Sequence, residues 1–162
     1  MSNPPVPVWE TIVQALEARL RALEWPGLTV ERNRTVEVSA DECPFLALYE
    51  ADEDEPEEDS AAARKSSGVE IELYLQAPRD HDTPGAALGA DLNGLIAMVE
   101  FAVLEGTNQS PSWWPDGTVD IRRGAISRTL ETGETSLPSG GAKIEFTVDY
   151  WTRPGDPYTP GP

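Results

Sequence analysis

Residues 68–77, GVEIELYLQA, alternate without a break: Val69, Ile71, Leu73 and Leu75 fall on one side, Glu70, Glu72, Tyr74 and Gln76 on the other. A period of two is that of an extended chain, so 69–76 form a strand with one face in a core and one in water. Such a strand needs neighbours along its edges and a layer over its apolar face. The sequence on either side supplies both.

Upstream, Val8, Trp9, Ile12, Val13, Leu16, Leu20 and Leu23 recur at helical spacing, with Glu10, Gln14, Glu17, Arg19 and Arg21 between them. This predicts an amphipathic helix over 8–24, stopped by Pro26-Gly27. Residues 28–32 form a first short strand, and the compact apolar run 45–49 after Pro44 reads as a buried second one. Downstream of a polar bend over 78–84, Leu88, Leu92, Leu95, Ile96, Val99, Ala102 and Val103 define a second helix that Gly106 closes. Gly89 and Gly94 lower its propensity and permit close packing on a sheet. Strands follow at 118–122 and, in weaker pattern, at 125–131. TSLPSGG (135–141) is a turn, and 142–150 is the last strand, with Ile144, Phe146, Val148 and Tyr150 on one face.

The fold class is therefore α+β: a mostly antiparallel sheet with two amphipathic helices packed on one face. The expected organisation is a single domain over 1–150, interrupted by an acidic loop excursion over 50–67, then an extended C-terminal arm over 151–162. The excursion holds eight carboxylates in ten positions: Glu50, Asp52, Glu53, Asp54, Glu55, Glu57, Glu58 and Asp59. Like charges at this density repel, and a solvated acidic surface loop is the plain reading. The alternatives are weak screening of divalent cations, or a negative surface at the pore of an assembly.

The chain has 162 residues, enough for one domain with a real core, and 39% of them are hydrophobic. It carries 29 acidic against 12 basic residues, a net charge of −17. That field repels nucleic-acid phosphates and anionic membranes, so specific nucleic-acid binding and membrane association are not expected. An acidic lining nonetheless suits a passage that DNA traverses without sticking. No run of apolar residues is long enough for a membrane span, the first residues lack signal-peptide character, and one cysteine cannot pair internally. Assembly in a cytoplasm is expected.

Few residues point to catalysis. His81 sits between Asp80 and Asp82 with no second His or Cys to complete a site, and reads as a solvated turn residue. Cys43 follows Asp41 and Glu42, which raise a thiol pKa rather than lower it. The glycines of GAALGADLNG (85–94) lack the strand and the lysine of a phosphate loop. The acidic run lacks the spacing of a calcium loop. No catalytic residue, metal or cofactor is assigned, and the chain is not read as an enzyme.

The large aromatics outside the periodic pattern look instead like contacts. Trp113 and Trp114 lie in NQSPSWWPDG (108–117), and either anchor an interface or cap the sheet within one subunit. Trp151, Arg153, Asp156 and Tyr158 belong to the terminal arm, where Pro154, Pro157 and Pro160 stiffen the backbone. A pre-stiffened segment loses less entropy on docking, so the arm is expected to lie across a neighbouring subunit.

The order of these segments resembles the tail terminator (minor tail or tail completion) proteins of long-tailed bacteriophages and of phage-like gene transfer agents. The likeness runs through VWETIVQALEARLRAL (8–23), CPFLALYEADEDEP (43–56), GVEIELYLQA (68–77), LGADLNGLIAMV (88–99) and GGAKIEFTVDYWTRPGDPY (140–158). Phe146, Val148 and Tyr150 match the closing strand, and Thr152, Arg153, Gly155, Asp156, Pro157 and Tyr158 match the arm. The resemblance implies a structural virion protein that forms a homohexameric ring at the tail–neck joint. Such a ring caps the tail-tube protein and joins it to the head–tail connector or neck protein, with no cofactor. The acidic excursion is longer and more charged than that family leads one to expect. Outside that family, the residues also suit a non-catalytic acidic module, chaperone-like, that recognises a basic partner.

Overall fold

A computed structural model describes residues 4–107, 110–114, 119–131 and 137–162. Thr118, residues 108, 109 and 115–117 of the tryptophan loop, and residues 135 and 136 of the expected turn lie outside the described residues. The fold is mixed, with two helices and a mostly antiparallel sheet. In chain order it runs α1 (Val8–Arg21), β1 (Thr29–Arg32), a 3-10 turn (Ala40–Glu42), β2 (Phe45–Glu53), β3 (Glu57–Glu58), β4 (Ala63–Gln76) and α2 (Pro84–Leu104). A small hairpin follows, β5 (Gly106–Thr107) and β6 (Ser110–Pro111), then β7 (Val119–Glu131), β8 (Ser139–Arg153) and β9 (Asp156–Pro160).

α1 ends at Arg21 rather than 24. Leu23 N–H turns back to the Leu20 carbonyl at 3.1 Å, and Trp25, which precedes a proline, is pushed out of helical backbone. Its Val8, Ile12, Val13, Leu16 and Leu20 are buried. α2 buries Leu88, Leu92, Leu95, Ile96, Val99, Ala102 and Val103, the residues its periodicity picks out. It starts at Pro84, whose fixed φ suits the first helical position. A Cβ placed on Gly94 would lie 3.7 Å from the Trp25 ring and one on Gly89 would meet nothing within 4 Å, so neither glycine serves packing on the sheet as the sequence suggests. By length and composition alone α2, with 21 residues, would pass for a membrane span, yet seven of its side chains are buried in the fold.

The sheet is ordered β1-β2-β4-β8-β7, with β3 beside β4 and β9 beside β8. β1 runs parallel to β2, and the other pairs are antiparallel. β4 is the spine: it pairs with β8 from Ala63↔Thr152 to Gln76↔Ser139. Val69, Ile71, Leu73 and Leu75 share one face with Leu46, Leu48, Ala142, Ile144, Phe146, Val148 and Tyr150, and both helices close over them in one core. On the opposite face, Phe45 is covered by the 33–44 connection, with the Arg34 guanidinium 4.7 Å from its ring centre. That makes Phe45 to Leu48 a continuous buried run.

Three expectations change. The two weak strands at 118–122 and 125–131 are one strand, β7. A bulge between Arg123 and Ile126 inserts a residue and shifts the alternation, which hides its continuity from a period-two reading. The 50–67 excursion is an ordered hairpin: β2 continues through Glu53, β3 pairs with β4, and Asp59 Oδ1 accepts from the amides of Ala61 and Ala62 at 2.7 and 2.8 Å to turn the chain. The domain does not close at residue 150. β8 continues through Arg153, Gly155 turns the chain at φ 70°, and β9 runs back along β8 instead of extending away. Pro154 sits in the turn, Pro157 and Pro160 fall in a short edge strand, and such places tolerate a missing N–H.

Candidate functional site

The acidic run divides at Glu53. Glu50 accepts from Trp9 Nε1 at 2.9 Å, Arg32 Nε at 2.8 Å and Asn33 Nδ2 at 2.8 Å. Arg32 also grips Glu10 through two bonds of 2.8 and 2.7 Å, which ties α1 to β1 and β2. Glu53 accepts from the Tyr150 hydroxyl at 2.6 Å and the Ser67 hydroxyl at 2.8 Å, and pairs with Lys65 at 3.4 Å. Tyr150 in turn stacks on Trp9, ring centres 5.5 Å apart. The two carboxylates thus meet at one aromatic pair, where the start of α1 crosses β2 and β8.

The electrostatics follow from these partners. Arg32's hydrogen bonds bring the Glu10 carboxyl down to about 2. Burial pushes Glu50 and Glu53 up, but Arg32, Asn33 and Trp9 for the first, and Tyr150, Ser67 and Lys65 for the second, outweigh it and both end lowered. Burial and then the bond to Glu53 push the Tyr150 phenol up. This network is structural in character: Trp9, Arg32, Asn33, Ser67, Lys65 and Tyr150 all point donors at Glu10, Glu50 or Glu53, and the ionised carboxylates are favoured.

Beyond Glu53 the hairpin faces water. Asp54, Glu55, Glu57, Glu58 and Asp59 are all exposed, as is Asp52 on β2 just before Glu53. Of these, Glu57 reaches Arg64 at 3.4 Å. Arg64 also pairs with Asp149 Oδ2 at 2.8 Å, and Arg122 meets the same oxygen at 2.9 Å. Asp149 is only 1% exposed; burial pushes its pKa up, and Ser66 with the two arginines more than reverses that.

The aromatic residues proposed as contacts separate. Trp114 is 9% exposed and belongs to the core, and Trp113 is partly buried with its Nε1 donating to the Val103 carbonyl at 2.9 Å. Both therefore pack against the core within the chain, and Trp113 keeps part of its surface exposed. Trp151 is half-buried on β8, held by the Gly161 N–H to its own carbonyl at 3.0 Å. Asp156 Oδ1 accepts from the Tyr158 amide at 3.0 Å, and Thr159 and Tyr158 together lower its pKa. Arg153 is exposed and Tyr158 is 47% exposed, so the C-terminal hairpin keeps a free aromatic and a cation. Sequence reading missed Trp9, whose place in the helical stripe concealed its polar role.

A cavity of about 480 Å³ opens between the 37–43 connection and the ends of β4, β7 and β8, lined in part by Glu37, Cys43, Tyr74, Thr129 and Glu131. Burial first, then Glu42 and Asp41, hold the Cys43 thiol up, and the Tyr74 hydroxyl donates to Glu72. Neither group is set up as a nucleophile at neutral pH. His81 is exposed, its Nδ1 accepting from the Thr83 amide at 3.1 Å. Among the described residues no three His, Cys, Asp or Glu side chains converge on a metal position. What the arrangement offers is charged contact surface: an acidic hairpin tip at one side of the sheet and arginines toward the other. No family model matches the chain, and no curated protein matches it either.

Proposed function

We propose that this chain is a structural subunit of a phage-type tail, a tail terminator that assembles as a hexameric ring, caps the tail tube and joins it to the head-side neck. The observation that carries the reading is the closing unit. The residues on which the resemblance rests, Phe146, Val148, Tyr150 and 152–158, form one long strand turned back through Gly155, with Arg153 and Tyr158 presented to solvent. An exposed aromatic and cation on a hairpin paired back to β8 suit a subunit contact better than a free tail does, because less of the chain has to be ordered on docking. The charge of −17 is compatible with a ring through which DNA passes without adhering. Assembly would take place in the host cytoplasm, and the virion would hold the product.

The exposed carboxylates of the hairpin tip favour a second reading, a non-catalytic acidic module for a basic partner. One experiment separates the two. Native mass spectrometry and negative-stain imaging of the purified chain, with and without its cognate tube protein, are expected to show hexameric rings seated on tube ends. Monomers alone under both conditions would overturn the ring, and tight capture of a basic protein by those monomers would establish the acidic module.

A further inference from the structure

β7 is the edge of the sheet: β8 pairs with one side of it, and among the described residues no strand pairs with the other. It runs thirteen residues, Val119–Glu131, and residues 122–125 and 127–131 are exposed, Leu130 among them at 59%. A long open edge offers a row of backbone donors and acceptors that pairs with any extended chain. Its charge is unusual for this molecule. Between 122 and 130 it carries Arg122, Arg123 and Arg128 and no acid, in a chain with 29 acids and 12 bases. Arg122 and Arg123 each use part of their donor set, on Asp149 at 2.9 Å and on Glu100 at 2.8 Å, and a guanidinium has further N–H groups to give.

The chain also contains a segment of matching chemistry. Residues 52–59 hold seven carboxylates in eight positions; Asp54, Glu55 and Glu58 are exposed, and Glu57–Glu58 are already extended as β3. β3 lies beside β4 on the side that β2 occupies, so β4 and β8 stand between it and β7. Three strand spacings come to about 14 Å, too far for one molecule to bring its own acidic hairpin to its own basic edge. Two complementary surfaces at separate places on one chain make a head-to-tail contact, the kind that closes into rings.

We infer that the acidic hairpin 52–59 of one subunit docks along the β7 edge of a second copy, its carboxylates on Arg122, Arg123 and Arg128 and its backbone on the open edge. This rests on the ring reading and deepens it by naming the two faces that meet. The pairing predicts which subunits recognise one another, since wrong juxtapositions place acid on acid.

The test uses two charge-reversed full-length proteins. The edge variant carries Arg123→Glu and Arg128→Glu and leaves Arg122 on Asp149. The hairpin variant carries Asp54→Lys, Glu55→Lys and Glu58→Lys and leaves Glu50 and Glu53 in their network. Circular dichroism and thermal melting confirm that both fold. In sedimentation velocity at low salt, the unaltered protein is expected to self-associate and to dissociate as salt rises. Each variant alone should associate at least about tenfold more weakly. An equal mixture should regain assembly, because every acidic hairpin then meets a basic edge and every basic hairpin an acidic one. Association of both variants at the unaltered strength, or failure of the mixture to recover, would overturn the pairing. If in that case the unaltered protein still formed rings on tube ends, the ring reading would survive it. Monomers of the unaltered protein with and without tube protein would overturn both.

Discussion

The two halves of one acidic run behave in opposite ways. Glu50 and Glu53 lie at the root of the hairpin and are held by Trp9, Arg32, Asn33, Tyr150, Ser67 and Lys65. Asp54, Glu55 and Glu58, only a few residues on, stand in water at its tip. Composition does not distinguish them. What differs is the distance from the core: Glu50 and Glu53 reach buried or half-buried donors, whereas Asp54, Glu55 and Glu58 face solvent and their neighbours' repulsion. The same residue type is therefore part of the framework in one place and available for contact in the other.

The sharpest way to break this contrast is Glu53→Ala. It leaves the buried hydroxyls of Tyr150 and Ser67, each 2% exposed, without their acceptor. A loss of about 2 kcal/mol is expected in denaturant unfolding, the usual cost of orphaned buried donors. An unchanged midpoint would mean the root network holds nothing together.

A smaller effect tests the charge at the root. Glu10 sits at about 2 when folded against an ordinary 4.5. A depressed carboxylate contributes stability above its unfolded value, and that contribution is lost as pH falls from about 4.5 toward 2. Glu50 and Glu53 are lowered as well and act with the same sign. Glu10→Gln should therefore be less stable than the unaltered protein at pH 7, by on the order of 1 kcal/mol once partial exposure is discounted. The gap should close below pH 4.5. Parallel melting curves across that range would show that the Arg32 pair carries no net stability.

The smallest effect belongs to the tip. Neutralising Asp54, Glu55 and Glu58 together, to Asn, Gln and Gln, should change unfolding stability at pH 7 by less than about 0.5 kcal/mol, as exposed charges usually do. A loss comparable to that of Glu53→Ala would erase the distinction between root and tip.

Much of the framework was legible beforehand. The alternation over 69–76 located β4, and the helical spacing from Leu88 to Val103 named each residue that α2 buries. These signals are local, because burial on one face imposes a period that shows in a few consecutive residues. The acidic run looks like a loop in the sequence because its like charges are visible there and their partners are not. Arg32 is 18 residues from Glu50 and Tyr150 is 97 from Glu53, separations no window reveals. The C-terminal segment is hard to read for a related reason: its prolines suggest an arm without ladder bonds, yet proline excludes only an interior strand. Trp113 and Trp114 pack on the core because the chain after β6 brings them to the Val103 carbonyl at the end of α2, a neighbourhood their loop sequence does not show.

By itself, then, the sequence determined the two helices, the central strands, their inward faces and the excess of negative charge, since each is written in local periodicity or in composition. Tertiary structure alone decided which carboxylates are framework and which are surface, that the C-terminal segment folds back along β8, and that an arginine-bearing strand lies at the sheet's edge with no further strand paired to it among the described residues. Each of those depends on which distant residues become neighbours, and neighbourhood is set by the packing of the whole chain.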